Sequence, residues 1–168
     1  MDDYLRLIDT QTQGRRYDVT PLFADFQAFS ALVEDLIRPF TKVELDCVAG
    51  IDALGFILGA AIAVRLKKGF VPIRKRGKLP VQTDRAEFVD YTAQKKSLEL
   101  RVDAIQTGTR VLVVDEWVET GAQVRAAIEL LEKQGGGVIG VASINMEDNA
   151  VTRLLRDKYQ CHTVWRDD

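Results

Sequence analysis

Histidine and cysteine are scarce in this chain, with one His and two Cys in 168 residues. That leaves no credible zinc site, which needs about four such ligands. Cys47 and Cys161 are far apart and suggest no disulfide framework; Cys47, inside an apolar run, reads as a small core residue. An excess of charge is also missing. Lys and Arg number 23 and Asp and Glu 25, a net charge of −2, so no global attraction to nucleic acid is expected. Long apolar runs are absent too. The longest, "ALGFILGAAIAV", has 12 residues, against the ~20 that a membrane-spanning helix needs. The N-terminal "MDDYLRLIDT" is acidic, unlike the basic start of a signal peptide, so a cytoplasmic location is expected. There is no internal repeat and no low-complexity linker, and the length suits one domain with a real core. We expect a single domain over 1–168.

What is present alternates between two periods. "PLFADFQAFSALVEDLIRPF" carries Phe26, Phe29, Leu32, Val33, Leu36 and Ile37 at helical spacing, which predicts one amphipathic helix. "KVELDCVAG" predicts a strand ending at Gly50, and "ALGFILGAAIAVRLKKG" a buried helix closed by Gly69. "FVPI" is strand-like, and "RKRGKLPVQTDRA" reads as a basic loop. "EFVDY" and "SLELRV" suggest a hairpin joined by "TAQKK". "GTRVLVV" and "VIGVASI" are apolar strands, "AQVRAAIELLEKQ" and "NAVTRLLRDKY" helices, and "HTVW" a last strand. Strands that alternate with helices, several of them apolar throughout, indicate an α/β fold with a parallel sheet covered on both faces. Ligands of such sheets bind beyond the carboxyl ends of the strands.

One strand end stands out. In "VLVVDEWVETGAQ", residues 111–123, an apolar strand runs into two acids, then a small turn, then a helix. The first amides of a helix have no intrahelical partner and favour an anion such as phosphate. Gly121 lets the backbone approach it closely. Asp115 and Glu116 would repel that phosphate but accept hydrogen bonds from hydroxyls. Acids for a diol beside a nest for a phosphate fit a ribose 5-phosphate. The same pattern also suits a plain strand-to-helix turn with Thr120 as its cap. The turn is not a Walker motif, since no Gly-Lys-Ser/Thr follows.

This stretch resembles the diphosphate-sugar motif of the type I phosphoribosyltransferases. Residues 50–80, "GIDALGFILGAAIAVRLKKGFVPIRKRGKLP", look like the matching region of the adenine-specific members. "YDVTPLF", 17–23, is similar to the "DITPLL" stretch that precedes their first long helix. The resemblance covers most of 17–145. It implies a twisted parallel sheet flanked by helices, with a small hood over the base site built from about 1–25 and a flexible loop at about 80–100. It implies transfer of a purine-like base onto 5-phosphoribosyl 1-diphosphate (PRPP) with release of pyrophosphate, a place in purine salvage, and a homodimer. Magnesium would ride on the sugar diphosphate, with Asp115 as its candidate protein contact. The partners implied are small molecules, with no nucleic acid and no membrane. Residue by residue, it assigns the ribose to Asp115 and Glu116, and the 5-phosphate to Glu119, Thr120, Gly121, Ala122 and Gln123. Pyrophosphate falls to Arg74, Lys75 and Lys78, which by themselves would read as a solvated basic loop. Asp90, with Tyr91, falls where the family's loop carries a catalytic Glu-Tyr pair.

Four departures bear on the base. Leu54 stands where the family has an Arg for pyrophosphate, a contact worth about 1.5–3 kcal/mol. The phosphate turn is Thr-Gly-Ala-Gln rather than Thr-Gly-Gly-Thr. Glu119 replaces the Ala beside adenine; the hypoxanthine and guanine enzymes carry an Asp there facing N7, which makes Glu119 a candidate for base contact and catalysis. "GRRY", 14–17, replaces an apolar stretch that sandwiches adenine; Tyr17 can still stack, and Arg15 and Arg16 change the pocket. Trp117 is a further candidate platform for the base. Two readings stay open: an active transferase whose base is not fixed as adenine, and a regulator that binds a nucleotide or PRPP on the same fold.

Overall fold

The computed structural model describes residues 3–13 and 16–165; Arg15 of the "GRRY" stretch lies outside them. Nine strands and five α-helices follow one another among the described residues. The strands are β1 (Cys47–Ile51), β2 (Gly69–Lys75), β3 (Thr83–Val89), β4 (Lys95–Arg101), β5 (Arg110–Val114), β6 (Trp117–Val118), β7 (Gly137–Ser143), β8 (Asn145–Met146) and β9 (Gln160–Thr163). The helices are α1 (Thr20–Ala24), α2 (Phe26–Ile37), α3 (Leu54–Leu66), α4 (Ala122–Lys133) and α5 (Ala150–Lys158). Seven strands form one sheet in the order β3-β4-β2-β1-β5-β7-β9. From β2 to β9 every pairing is parallel. The β3–β4 hairpin joins the β2 edge antiparallel.

The central strand β5 shows why the sequence reads as unbroken apolar. Val111 and Val113 enter one core with α4, α5 and the hairpin. Leu112 and Val114 enter the other with α1, α2 and α3. A strand covered on both faces needs apolar side chains at every position. All four are fully buried, at roughly 1.5–3 kcal/mol each relative to exposure.

Several boundaries differ from the sequence expectation. The single helix expected over 21–40 is broken at Asp25, which takes an extended conformation and caps α2 by accepting a hydrogen bond from Ala28 N at 2.8 Å. The cap at the end of α3 falls on Lys67, in the left-handed region at φ 57°, whereas Gly69 already pairs with Cys47 in β2. Arg74 and Lys75, expected in a loop, lie on β2, and the hairpin expected over 87–102 is present as β3 and β4, its first strand starting earlier, at Thr83. The two-residue strands β6 and β8, paired in parallel, have no periodicity long enough to be read from sequence.

The segment expected as the hood packs on the α2 side. A 3₁₀ turn over Asp3–Leu7 and the isolated bridge between Asp9 and Asp18 fold it back on itself. Leu5, Ile8, Val19 and Leu22 are buried there. Among the described residues no helix is long and apolar enough to cross a membrane.

Candidate active site

The carboxyl ends of β1, β2 and β5 open into a cleft of about 240 Å3. Its walls come from five parts of the chain: Arg16 from the N-terminal segment, Asp52–Leu54 after β1, Lys75 from β2, the β3–β4 turn, and residues 115–123. Gly55 lets α3 sit close to this end of β5. A Cβ there would lie 2.7 Å from the Val114 carbonyl oxygen and 3.2 Å from the Asp115 Cα, closer than real contacts allow. Leu54 begins α3 and lines the cleft as an apolar side chain.

Asp115 and Glu116 follow β5 directly and are 7% and 6% exposed. Asp115 Oδ1 accepts a hydrogen bond from Glu116 N at 2.9 Å, and Oδ2 accepts one from Gln123 Nε2 at 3.2 Å. The long Gln123 side chain thus reaches back to orient an acid. Burial raises the Asp115 carboxyl from 3.8 to about 7, with the neighbouring Glu116 and Glu119 charges adding to it. Burial likewise raises Glu116 from 4.5 to about 7, Glu119 adding to the shift and Arg16 opposing it. These are acids held out of water with too little positive charge nearby.

The turn beyond them leads straight into α4. Gly121 takes φ 76°, and α4 begins with no side-chain oxygen capping it. The first amides of α4 have no intrahelical acceptor; Ala122 N donates to Thr120 Oγ1 at 3.3 Å. Behind the turn, Asn149 caps α5 and its Nδ2 donates to the Glu119 carbonyl at 2.7 Å. Thr152 and Val151 press against Gly121, each with an atom 3.1 Å from where a Cβ would sit.

Glu119 points inward. It is 7% exposed and forms an ion pair with Arg16, whose guanidinium also lies 5.2 Å from the Tyr91 ring centre. This bridge joins the N-terminal segment, the phosphate turn and the β3–β4 turn across the cleft. Sequence reasoning placed Glu119 at the base but gave Arg16 no partner.

Other expected site residues fall elsewhere. Trp117 is not a platform facing this cleft: it is 5% exposed and packs edge-on against Tyr17, ring centres 5.5 Å apart, because β6 turns it into the core. Tyr17 is shared between Trp117 and Trp165, the latter at 5.8 Å, and it too lies outside the cleft walls. Arg74 leans over Phe56 and towards Asp52, with Nε 3.6 Å from that carboxylate. The Lys78 backbone N–H donates to the buried Glu99. Neither Arg74 nor Lys78 lines the cleft, whereas Lys75 does.

Asp90 also lines the cleft, but in a structural capacity. Its Oδ1 accepts from Thr92 N at 2.8 Å, Thr92 Oγ1 at 2.6 Å and Gln94 N at 3.1 Å, and it is paired with Lys96. Lys96 and these turn donors hold the carboxyl well below the usual carboxylate range. A carboxylate so engaged is a weaker proton acceptor, which argues against the acid–base role expected for it. Lys96, which no sequence motif singled out, enters the cleft beside it.

A buried acid pair, a helix start without a side-chain cap and, among the described residues, three cations thus meet at one cleft. Residues 25–165 match the family model of the phosphoribosyl transferase domain, and the chain belongs to that family, as a phosphoribosyltransferase of type I. Within it the similarity runs to adenine phosphoribosyltransferases. That of Dinoroseobacter shibae is 45% identical over 159 residues, covering 92% of this chain and 88% of that protein. The crystal structure of the Thermoanaerobacter pseudethanolicus enzyme superposes with a TM-score of 0.87 at 32% identity, over 95% of each chain. The Saccharomyces cerevisiae enzyme, solved with an imino-altritol bisphosphate and adenine, gives a TM-score of 0.79 at 27% identity over 95% of this chain and 97% of that one.

Proposed function

We propose that this chain joins a purine-type base to C1 of PRPP and releases pyrophosphate, with Asp115 and Glu116 on the ribose hydroxyls and the 5-phosphate on the amides that follow Gly121. The observation that carries this reading is the buried acid pair at the end of β5 directly before an uncapped helix start. Each carboxylate has lone pairs left for a hydroxyl donor. As the C1–oxygen bond breaks, positive charge grows on the ribose ring, and two preorganised carboxylates beside it lower the energy of that state. The leaving pyrophosphate is strongly anionic and needs the cations of the opposite wall.

Glu119 is the residue proposed to face the base, as an acceptor for a ring N–H, with Arg16 fixing its orientation. The relatives' names put adenine first among the bases to test, and the Glu119–Arg16 pair favours extending the panel to 6-oxopurines. Magnesium forms part of the proposal as an ion carried by the sugar diphosphate. Among the described residues no three His, Cys, Asp or Glu side chains are grouped to hold a metal. Such an ion keeps most of its ligands on phosphate and water and touches one or two carboxylates; Asp115 is the candidate, and the ion would screen the charge of the leaving group. A homodimer in the cytoplasm completes the reading.

The test is pyrophosphate release from PRPP and magnesium with a panel of purine and pyrimidine bases. Release with one base establishes both the reaction and the substrate. Binding of PRPP or a nucleotide without release with any base identifies a regulator instead. The absence of both turnover and binding overturns the reading of the cleft.

A further inference from the structure

The pyrophosphate end of the cleft has a charge problem. Leu54 brings no charge to it, and Arg74 and Lys78 do not line it. Among the described residues its cations are Arg16, Lys75 and Lys96. Arg16 is committed to the buried Glu119. That leaves Lys75, and Lys96 with its own pairing to Asp90, to receive the diphosphate.

We infer that Lys96, together with Lys75, seats the leaving pyrophosphate, and that β4 thereby supplies the positive charge that the start of α3 lacks. Lys75 and Leu98 are register partners across β2 and β4, so Lys96 sits two residues from Lys75's partner and on the same face, since alternate strand residues share a face. Both side chains reach the cleft. Asp90 acts as a positioning residue: three donors of its own turn fix Oδ1, and Lys96 is tethered to the same carboxylate. On the outer side, a hollow of about 350 Å3 shares Lys75 and Lys96 with the cleft and adds Arg76 and Lys95, against one acid, Glu87. Four cations to one acid, continuous with the site, form a path along which a departing polyanion stays paired.

The inference rests on the transferase reading, and calorimetry separates the two. Pyrophosphate with magnesium and ribose 5-phosphate alone are titrated into the intact chain and its variants. Lys96→Met is expected to weaken pyrophosphate binding about ten- to a hundredfold, the worth of a charge-assisted contact, and to leave ribose 5-phosphate affinity within about twofold. Lys96→Arg is expected to retain most of the pyrophosphate affinity. Because Lys96→Met also bares the Asp90 charge, Asp90→Asn/Lys96→Met is measured too, and the loss is expected to persist. Pyrophosphate affinity unchanged in Lys96→Met, or restored to the original level in the double variant, overturns the inference. So does an unaltered chain that binds ribose 5-phosphate but no pyrophosphate, an outcome that leaves the sugar site standing. An unaltered chain that binds neither overturns the transferase reading and the inference with it.

Discussion

Asp115→Asn separates the energetic cost of the acid pair from its use. Burial raises the Asp115 carboxyl from 3.8 to about 7. At ~1.4 kcal/mol per pH unit between the ordinary and the raised value, ionising it costs the folded chain about 4 kcal/mol, to an order of magnitude. Between those two pH values the folded state holds more protons than the unfolded one, so stability falls as pH rises through that window. Asn removes the charge and keeps an oxygen for the Glu116 amide. It also sets its own amide against Gln123 Nε2, which must rotate, at a cost of about 1–2 kcal/mol. The net expectation is a variant more stable by about 2 kcal/mol at pH 8, or roughly 4–8 °C in Tm for a chain of this size. Near pH 4, where the folded chain is already neutral at this position, the charge contribution vanishes and the Gln123 mismatch remains, so the variant should be the less stable of the two by about 1–2 kcal/mol. Urea denaturation at pH 8, 6 and 4 measures it, and ribose 5-phosphate binding measured alongside should be lost. A variant that is less stable at pH 8, or a difference that does not change with pH, would refute the view that the cleft stores the cost of buried, unpaired carboxylates.

Three further outcomes follow from the same geometry. Leu54→Arg restores a guanidinium to the cleft wall and should tighten pyrophosphate binding about ten- to a hundredfold, read by calorimetry. Gly121→Ala forces a Cβ into a left-handed position against Thr152 and Val151; we expect a loss of about 1–2 kcal/mol in thermal stability and weaker 5-phosphate binding with little change for pyrophosphate. Arg16→Ala strips the partner from the buried Glu119 and should destabilise by about 1–2 kcal/mol at pH 8, the value of a buried pair discounted because Arg16 itself is half exposed. Adding Glu119→Gln should recover most of that loss in chemical denaturation.

Much of the scaffold is legible from local pattern. The unbroken apolar run Val111–Val114 announces a strand covered on both faces, and the two acids followed by Thr-Gly mark where the sugar site is proposed, because those residues sit in one contiguous stretch. What is not legible depends on partners remote in sequence. The Arg16–Glu119 bridge joins residues 103 positions apart, and no periodicity encodes it. Trp117 follows two acids and reads as a candidate base platform until the short β6–β8 pairing turns it inward. Asp90 has the residue type of a catalytic acid, and only the donors of residues 92–96 reveal that it is tied down. Lys96 looks like any exposed lysine of a polar turn, and its worth depends on where Leu54, Arg74 and Lys78 fail to reach. Lys67 takes the left-handed cap that Gly69 was expected to take, because β2 must begin at Gly69 to register with Cys47.

A crystal structure with ribose 5-phosphate bound tests the placement of the sugar most directly. The account predicts the 2- and 3-hydroxyls within hydrogen-bond distance of the Asp115 and Glu116 carboxylates, and the phosphate on the backbone amides at the start of α4. A sugar bound the other way round, with its phosphate on Lys75 and its hydroxyls at Gly121, would contradict it, as would a cleft that stays empty at saturating ligand.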